Sequence, residues 1–380
     1  MIKSIFTSTL GLLIATSAFA NEIPATYTTN DAITNIHNRC IVRFSDDMDS
    51  THVTGLARAI AAQAGASLQH IYKHSIKGFA INMPCAAANA AFGYDSYVVS
   101  MEPDGIASIN KGKPNKDPEV QLEQFSSYGT GRVGGSVDGS ENTAWIIDTG
   151  IDLDHPDLNV DASRGFTVIS SKGLPSMNDE NGHGTHVAGT IGAIDNDIGS
   201  LGVAANTTVV PVRVLDRRGS GSWSGVIAGI DYVAEHATAG DCVNMSLGGA
   251  KNEAVDAAVI GASEKKTGVF FVLAAGNDGD DANNHSPARV NGSNIWTISA
   301  VDINDRMPSW SNYGTSVDYA APGVNIFSLW KDGGTKTISG TSMAAPHACA
   351  VLMMTGGHSF SDGKTAGNDP DDNPDSIIHL

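Results

Sequence analysis

The sequence predicts an α/β fold, a parallel sheet covered by helices on both faces, with a small α+β module ahead of it. Three observations lead there. In the larger, C-terminal part of the chain, short apolar runs alternate with helical stretches, the spacing that parallel strands and their crossovers require. Between Asn110 and Pro118 the composition shifts to NKGKPNKDP, charged and broken by two prolines, which marks an exposed linker and a domain boundary. Upstream of that linker, strand-like and helix-like patterns alternate within one compact stretch.

Residues 1–20 carry Lys3, an apolar core from Leu10 to Ile14, and Ala18-Phe19-Ala20, the small-x-small pattern of a secretory cleavage site. They are expected to be a signal peptide, with Asn21 opening the exported chain. Export implies an oxidising setting, in which Cys40, Cys85, Cys242 and Cys349 can form disulfides, although spacing does not select the pairing. Residues 38–109 supply the module. RCIVRF, from Arg39 to Phe44, reads as a strand and STHVTGLARAIAAQA, from Ser50 to Ala64, as an amphipathic helix. HIYKHSI and KGFAINM follow as two strands joined near Lys77 and Gly78. After them come the alanine-rich Ala86 to Phe92, a strand from Tyr97 to Glu102, and Gly105 to Ile109.

Past the linker at residues 110–122, the alternation begins with AWIID and a helix after His183. It continues through TVVPVRVL, a helix from Trp223 to His236, CVNMS, a helix from Glu253 to Lys265, GVFFVLAA and IWTISAV. Ligands of such sheets gather at the carboxyl ends of strands. Residues 357–380 are acidic. There DPDDNPD sets Asp369, Asp371, Asn373 and Asp375 at alternating positions like the start of an EF-hand loop. Pro374 stands where that loop needs glycine and Leu380 where it needs a bidentate glutamate, so this stretch is expected to be a solvated tail.

With 41 acidic against 23 basic side chains, the net charge of −18 opposes binding to nucleic acid or anionic membranes. No segment after the leader is apolar for long enough to span a bilayer. Chemistry concentrates elsewhere. In GTSMAAPH, Gly340 to His347, Ser342 stands at a turn opening a helix, where its hydroxyl can be exposed beside a base. Pro346 is expected to fall where its missing N–H has no intrahelical partner anyway. Asp148 ends the strand AWIID, and His183, between two glycines in NGHGTHVAGT, opens a helix from which Asp148 could orient its imidazole. Two other signals are set aside. Gly129 to Gly134 spells GxGxxG but precedes a strand instead of following one, and His183 and His186 are spaced by three with no glutamate after His183, unlike a zinc HExxH motif.

Three motifs in order, IIDTGID, NGHGTHVAGT and SGTSMAAPH, resemble the subtilisin-like serine protease family, and SNYG, APGV and SLGG resemble its proteinase K-like branch. The resemblance runs from about Glu123 to Leu352. It implies a secreted serine endopeptidase with a catalytic domain at 123–356, in which Ser342 is the nucleophile, His183 the general acid/base and Asp148 its orienting carboxylate. Asn277, in VLAAGNDG, stands at the family's oxyanion-donor position. Gly219-Ser220-Gly221 and Ser246-Leu247-Gly248 resemble the edges that pair with substrate as an added strand. Ser246 to Gly249, with Ala274, Ala275 and Gly276, would line an apolar primary pocket.

The same resemblance makes residues 21–122 a propeptide, its ferredoxin-like module acting as an intramolecular inhibitor, with processing near Leu122-Glu123. It also implies a structural Ca²⁺ held by Gln124, Asp157 and Asn196 with the backbone carbonyls of Ile194, Ile198 and Ser200, an oxygen-only set that suits calcium better than zinc. The expected partners are protein or peptide substrates and the chain's own propeptide, and the enzyme is expected to be a monomer. Two alternatives use the same residues: a silent peptide-binding scaffold, and an esterase.

Overall fold

The computed structural model describes residues 33, 35–109, 123–358 and 360–380. The predicted signal peptide, the linker and Leu122 lie outside the described residues.

The module contains β1 (Cys40–Phe44), α1 (Ser50–Ala64), β2 (Leu68–Tyr72), β3 (Gly78–Ile81), α2 (Cys85–Phe92), β4 (Val98–Pro103) and β5 (Ile106–Ser108). Its antiparallel sheet runs β2-β3-β1-β4, the ferredoxin-like order. β1 is central, so its apolar Cys40, Ile41, Val42 and Phe44 are all buried. α1 starts where the Asp49 side chain accepts the Thr51 N–H and stops where Gly65 turns left-handed at φ 64°. Between those caps, Val53, Ala57, Ile60 and Ala61 fall on one buried stripe against the sheet. A Cys40–Cys85 disulfide fastens β1 to the start of α2.

The second unit is built on a ten-stranded sheet. Its long strands are β6 (Thr143–Asp148), β7 (Thr208–Arg213), β9 (Cys242–Met245), β10 (Phe270–Ala274), β11 (Ile295–Val301) and β12 (Tyr319–Pro322), and a short strand β8 (Ser220–Ser222) stands apart from the sheet. The neighbouring long strands are parallel, in the order β12-β11-β10-β9-β6-β7. Helices cover both faces, so residues 144–148 of β6 are buried without alternation. On one face lie α4 (Trp223–His236) and α5 (Glu253–Lys265); on the other lie α3 (His183–Gly192) and α6 (Thr341–Met354). The chain steps from β6 to β7 on one side and then crosses to β9 on the other. That reversal leaves a crevice at the carboxyl ends of β6 and β9.

α6 runs through the core, and its residues from Thr341 to Met353 are all buried, which its small and apolar sequence allows. A Cys242–Cys349 disulfide ties it to the start of β9. A hairpin of β13 (Ile326–Trp330) and β14 (Gly334–Ile338) packs against α3.

The acidic tail is not a solvated appendage. After α6 the chain forms β15 (Phe360–Thr365) and β16 (Ser376–His379), and β16 joins the main sheet parallel to β12 with Ala320 opposite Ile377. Ile377 and Ile378 are buried, and Arg132 grips the hairpin base through Asp305 and Asp362. Apolar residues spaced along the polar stretch supply the physical reason: SIIH carries enough of them to cover an otherwise open sheet edge. This hairpin finishes the fold after His347.

Candidate active site

Asp148 is the last residue of β6 and His183 the first of α3, so the crevice brings together residues 35 positions apart. His183 Nδ1 lies 2.9 Å from each carboxylate oxygen of Asp148, which is fully buried. Two glycines around His183 are dictated by space. A Cβ on Gly182, at φ 110°, would strike the Trp330 ring, and one on Gly184 would strike the Gly150 carbonyl. Among the described residues, His183 Nε2 is buried with no hydrogen-bond partner.

Ser342 is the second residue of α6, and its hydroxyl donates to the Ser246 carbonyl at 3.3 Å. The reverse contact is also present, with Ser246 Oγ donating to the Ser342 carbonyl at 2.9 Å. Pro346 explains why that carbonyl is open. It lies inside the helix, and its absent N–H is the one that would have bonded Ser342 four residues earlier. The expectation that this N–H had no partner to lose is therefore corrected: Ser246 replaces it. Asn244 Nδ2 donates to Ser246 Oγ at 2.8 Å and fixes that hydroxyl in turn.

Asn277 is oriented by the residue before the serine. Its Oδ1 accepts the Thr341 N–H at 2.9 Å and the Thr341 hydroxyl at 3.0 Å, so the amide presents its Nδ2 on the other side. Gly340 is where that side opens, since a Cβ there would lie 3.2 Å from Asn277 Nδ2. Asn277 also borders a cleft of about 380 Å³ with Ser108, Ile109, Arg218, Gly219, Ser220 and Asp278.

That cleft holds part of the same chain. β5 pairs antiparallel with β8, Ser220 opposite Ser108 and Gly221 opposite Ala107, and Ile109 N–H donates to the Gly219 carbonyl at 2.9 Å. On its other edge, Ser108 exchanges two 3.0 Å hydrogen bonds with Gly248. Residues 106–109 are thus the middle strand between the two segments predicted to receive peptide. A Cβ on Gly219 would meet Ile109, and one on Gly249 the Ile106 carbonyl, so glycine lets the strand approach. Leu247, Ala274 and Ala275 are buried beside this strand's path, and Gly276 adopts φ 109° with its N–H on Thr341 Oγ1.

The subtilase family model matches residues 142–355, which contain every one of these groups outside the module. The chain belongs to the subtilase family of serine proteases. Alkaline serine exoprotease A of Vibrio alginolyticus is 41% identical over 295 residues, 76% of this chain and 53% of that protein. A subtilisin-like protease of Coccidioides posadasii is 37% identical over 369 residues, 91% of this chain and 88% of the relative. Among solved structures, that of a cold adapted subtilisin-like serine proteinase is 37% identical with a TM-score of 0.58, covering 66% of this chain and 97% of the other.

In this subtilase the residues predicted to hold calcium are partly gathered. Gln124 Nε2 contacts the carbonyls of Ile194 at 2.8 Å and Ser200 at 3.4 Å. Asp157 is buried beside them and accepts the Ser200 N–H at 2.9 Å and Asn196 Nδ2 at 2.8 Å, while burial pushes its carboxyl up to about 6. Asn196 Oδ1 instead caps the Ile198 N–H, and Ile198 is exposed. Among the described residues no cluster of three or more His, Cys, Asp or Glu side chains is placed for a metal, and no helix is long and apolar enough to cross a membrane.

Asp179 was not singled out from sequence, yet it organises the histidine. Its carboxylate accepts the N–H groups of Asn181, Gly182 and Thr185 and the hydroxyls of Thr149 and Thr185. An Asp just before a Gly-led helix start is a capping signal, and this was the readable clue. Asn244 also had one, since it shares a strand face with Ser246 two residues on. His186 is structural: its Nε2 reaches the carbonyls of Ile326 and Lys336, each at 3.1 Å, and burial lowers its pKa to about 3.

Proposed function

We propose that this subtilase is a secreted endopeptidase, made as a zymogen that its own N-terminal module inhibits. Ser342 Oγ attacks the peptide carbonyl and passes its proton to His183 Nε2, while Asp148 holds Nδ1–H and stabilises the imidazolium. The oxyanion is held by Asn277 Nδ2 and the Ser342 N–H at the start of α6. His183 then protonates the leaving amine, and water, deprotonated by the same imidazole, hydrolyses the ester.

The observation that carries this reading is the strand 106–109 seated between Gly219–Ser222 and Gly248. It supports a cleft made for extended polypeptide, which favours an endopeptidase over an esterase. The module adds further anchors to the same body: Tyr72 OH donates to the Ser224 carbonyl, and Asp231 accepts the N–H groups of Lys73, His74 and Ser75. Buried Arg39 and Asp104 form an ion pair with Ser224 donating to Asp104. A cleft so filled keeps other chains out.

Ca²⁺ fits the start of the body in part. With the Gln124 amide turned to present Oε1, that oxygen, the Ile194 and Ser200 carbonyls and Asp157 make an oxygen-only donor set, and Asn196 and Ile198 belong to the enclosing loop. Bound there, the ion would cross-link the first residues of the body to the loop after α3. Processing near Leu122-Glu123 would free that body. The test compares hydrolysis of casein and of a short-chain ester by the exported chain and its Ser342→Ala variant. Ester turnover without casein cleavage would favour the esterase, and neither would favour the silent scaffold.

A further inference from the structure

Residues 106–109 enter the cleft in a fixed register, and that register identifies a bond. Ser108 pairs antiparallel with Gly248 through two 3.0 Å hydrogen bonds. In an antiparallel pair, two steps forward on one strand face two steps back on the other. The residue two beyond Ser108 is Asn110, and two before Gly248 stands Ser246, whose carbonyl accepts the Ser342 hydroxyl at 3.3 Å. Asn110 itself lies outside the described residues, so the assignment rests on the Ser108–Gly248 register and on Ile109 being held at Gly219.

The expected processing site does not meet this geometry. Glu123 precedes Gln124 and Phe125, which are bound to the carbonyls of Asp197 and Gly199 in the loop beyond the far end of α3. α3 carries His183 at its first residue and runs for 10 residues, a length of about 15 Å. A bond next to Glu123 is therefore held away from the catalytic end while Gln124 stays docked.

We infer that the first maturation cut falls at the Asn110–Lys111 bond, within one molecule, and that residues 111–122 stay on the enzyme until a later trimming at Leu122–Glu123. The inference rests on the zymogen reading above. Ser342 Oγ adds to the Asn110 carbonyl carbon as its proton passes to His183. The C–N bond to Lys111 breaks, the departing amine takes that proton, and water then converts the ester to the Asn110 carboxylate and restores the Ser342 hydroxyl. The product strand remains paired in the cleft, which delays release of the module.

The test follows the full exported chain by intact mass and N-terminal sequencing from the earliest times, at several protein concentrations. The expected first products are a module ending at Asn110 and an enzyme beginning at Lys111, formed at a rate independent of concentration. Lys111→Pro should abolish that cut, and Glu123→Pro should leave it at the wild-type rate. A first product beginning at Glu123, or normal processing of the Lys111→Pro chain, overturns the inference. A chain that cuts casein yet is never cut between residues 109 and 124 overturns it while leaving the protease reading intact, and one that does neither overturns both.

Discussion

Pro346 removes the helical donor that Ser342 would have used, and Ser246 supplies another at 2.9 Å. The nucleophile's backbone is thus bonded sideways, to the segment that forms the primary pocket, instead of up its own helix. Ser246→Ala should leave the Ser342 carbonyl and Asn244 Nδ2 unpaired and destabilise the protein by about 1–3 kcal/mol. Restoring the helical N–H with Pro346→Ala in the same chain should recover part of that loss. Chemical denaturation of the four corners of this cycle, built on Ser342→Ala to prevent autolysis, measures it.

Asn277 is turned by Thr341, so its amide donor has one orientation. Asn277→Leu should lower kcat roughly 100- to 1000-fold with little change in KM, the range that loss of the corresponding donor produces in subtilisin. Steady-state kinetics on a peptide anilide decides it, and an equal fall in binding would point to substrate positioning instead.

Asp179→Ala strips five hydrogen bonds from the turn before His183. Its expected signature is a fall of at least about tenfold in kcat, since a lost 1.4 kcal/mol of transition-state stabilisation is enough for that. KM should hold. A variant with normal kcat would show that the Asp148 contact alone positions the imidazole.

Burial, with Asp369 and Asp371 nearby, pushes the Asp375 carboxyl from 3.8 up to about 7, against the opposing Ser299 hydroxyl bond. Between about pH 4 and 7 the folded chain therefore binds a proton that the unfolded chain does not. By linkage, this group's contribution to stability is present below about pH 4 and is lost as pH rises through 7. Thermal melts of the Ser342→Ala chain across that range should show the decline, and Asp375→Asn should flatten it. An unchanged slope would assign it to other groups.

Chelation tests the calcium reading. An ion at 100 times its dissociation constant adds about 2.7 kcal/mol. EDTA should therefore lower the melting temperature of the wild-type body, and Asp157→Ala should remove most of the difference between chelated and calcium-loaded protein. Equal shifts in both would place the ion elsewhere.

Much of this was readable because local signals agreed with the fold. Ser50–Ala64, Trp223–His236 and Glu253–Lys265 are helices with the predicted limits, each opened by a side-chain cap at Asp49, Ser222 or Asn252. Asp148 and His183 were legible because each sits where a strand ends or a helix begins. Other features depended on distant partners. Phe360–Thr365 is exposed throughout and has no apolar alternation, and Ser376–His379 becomes a strand only through Tyr319–Pro322, far back in the chain. The role of Ser246 toward Ser342 crosses 96 residues and depends on a proline that looked harmless in its own helix.

The strand from Ser376 to His379 also sets an order of assembly. It lies between β12 and β15, and Leu380 N–H closes onto the Val133 carbonyl near the beginning of the body. During synthesis the sheet cannot close until those final residues are made, so the body waits open while the module, whose contacts are all completed by residue 109, can already fold. The first unit made can then template the last, and any shortening that removes Ile377 and Ile378 should trap the enzyme as an unfinished sheet with an adhesive edge.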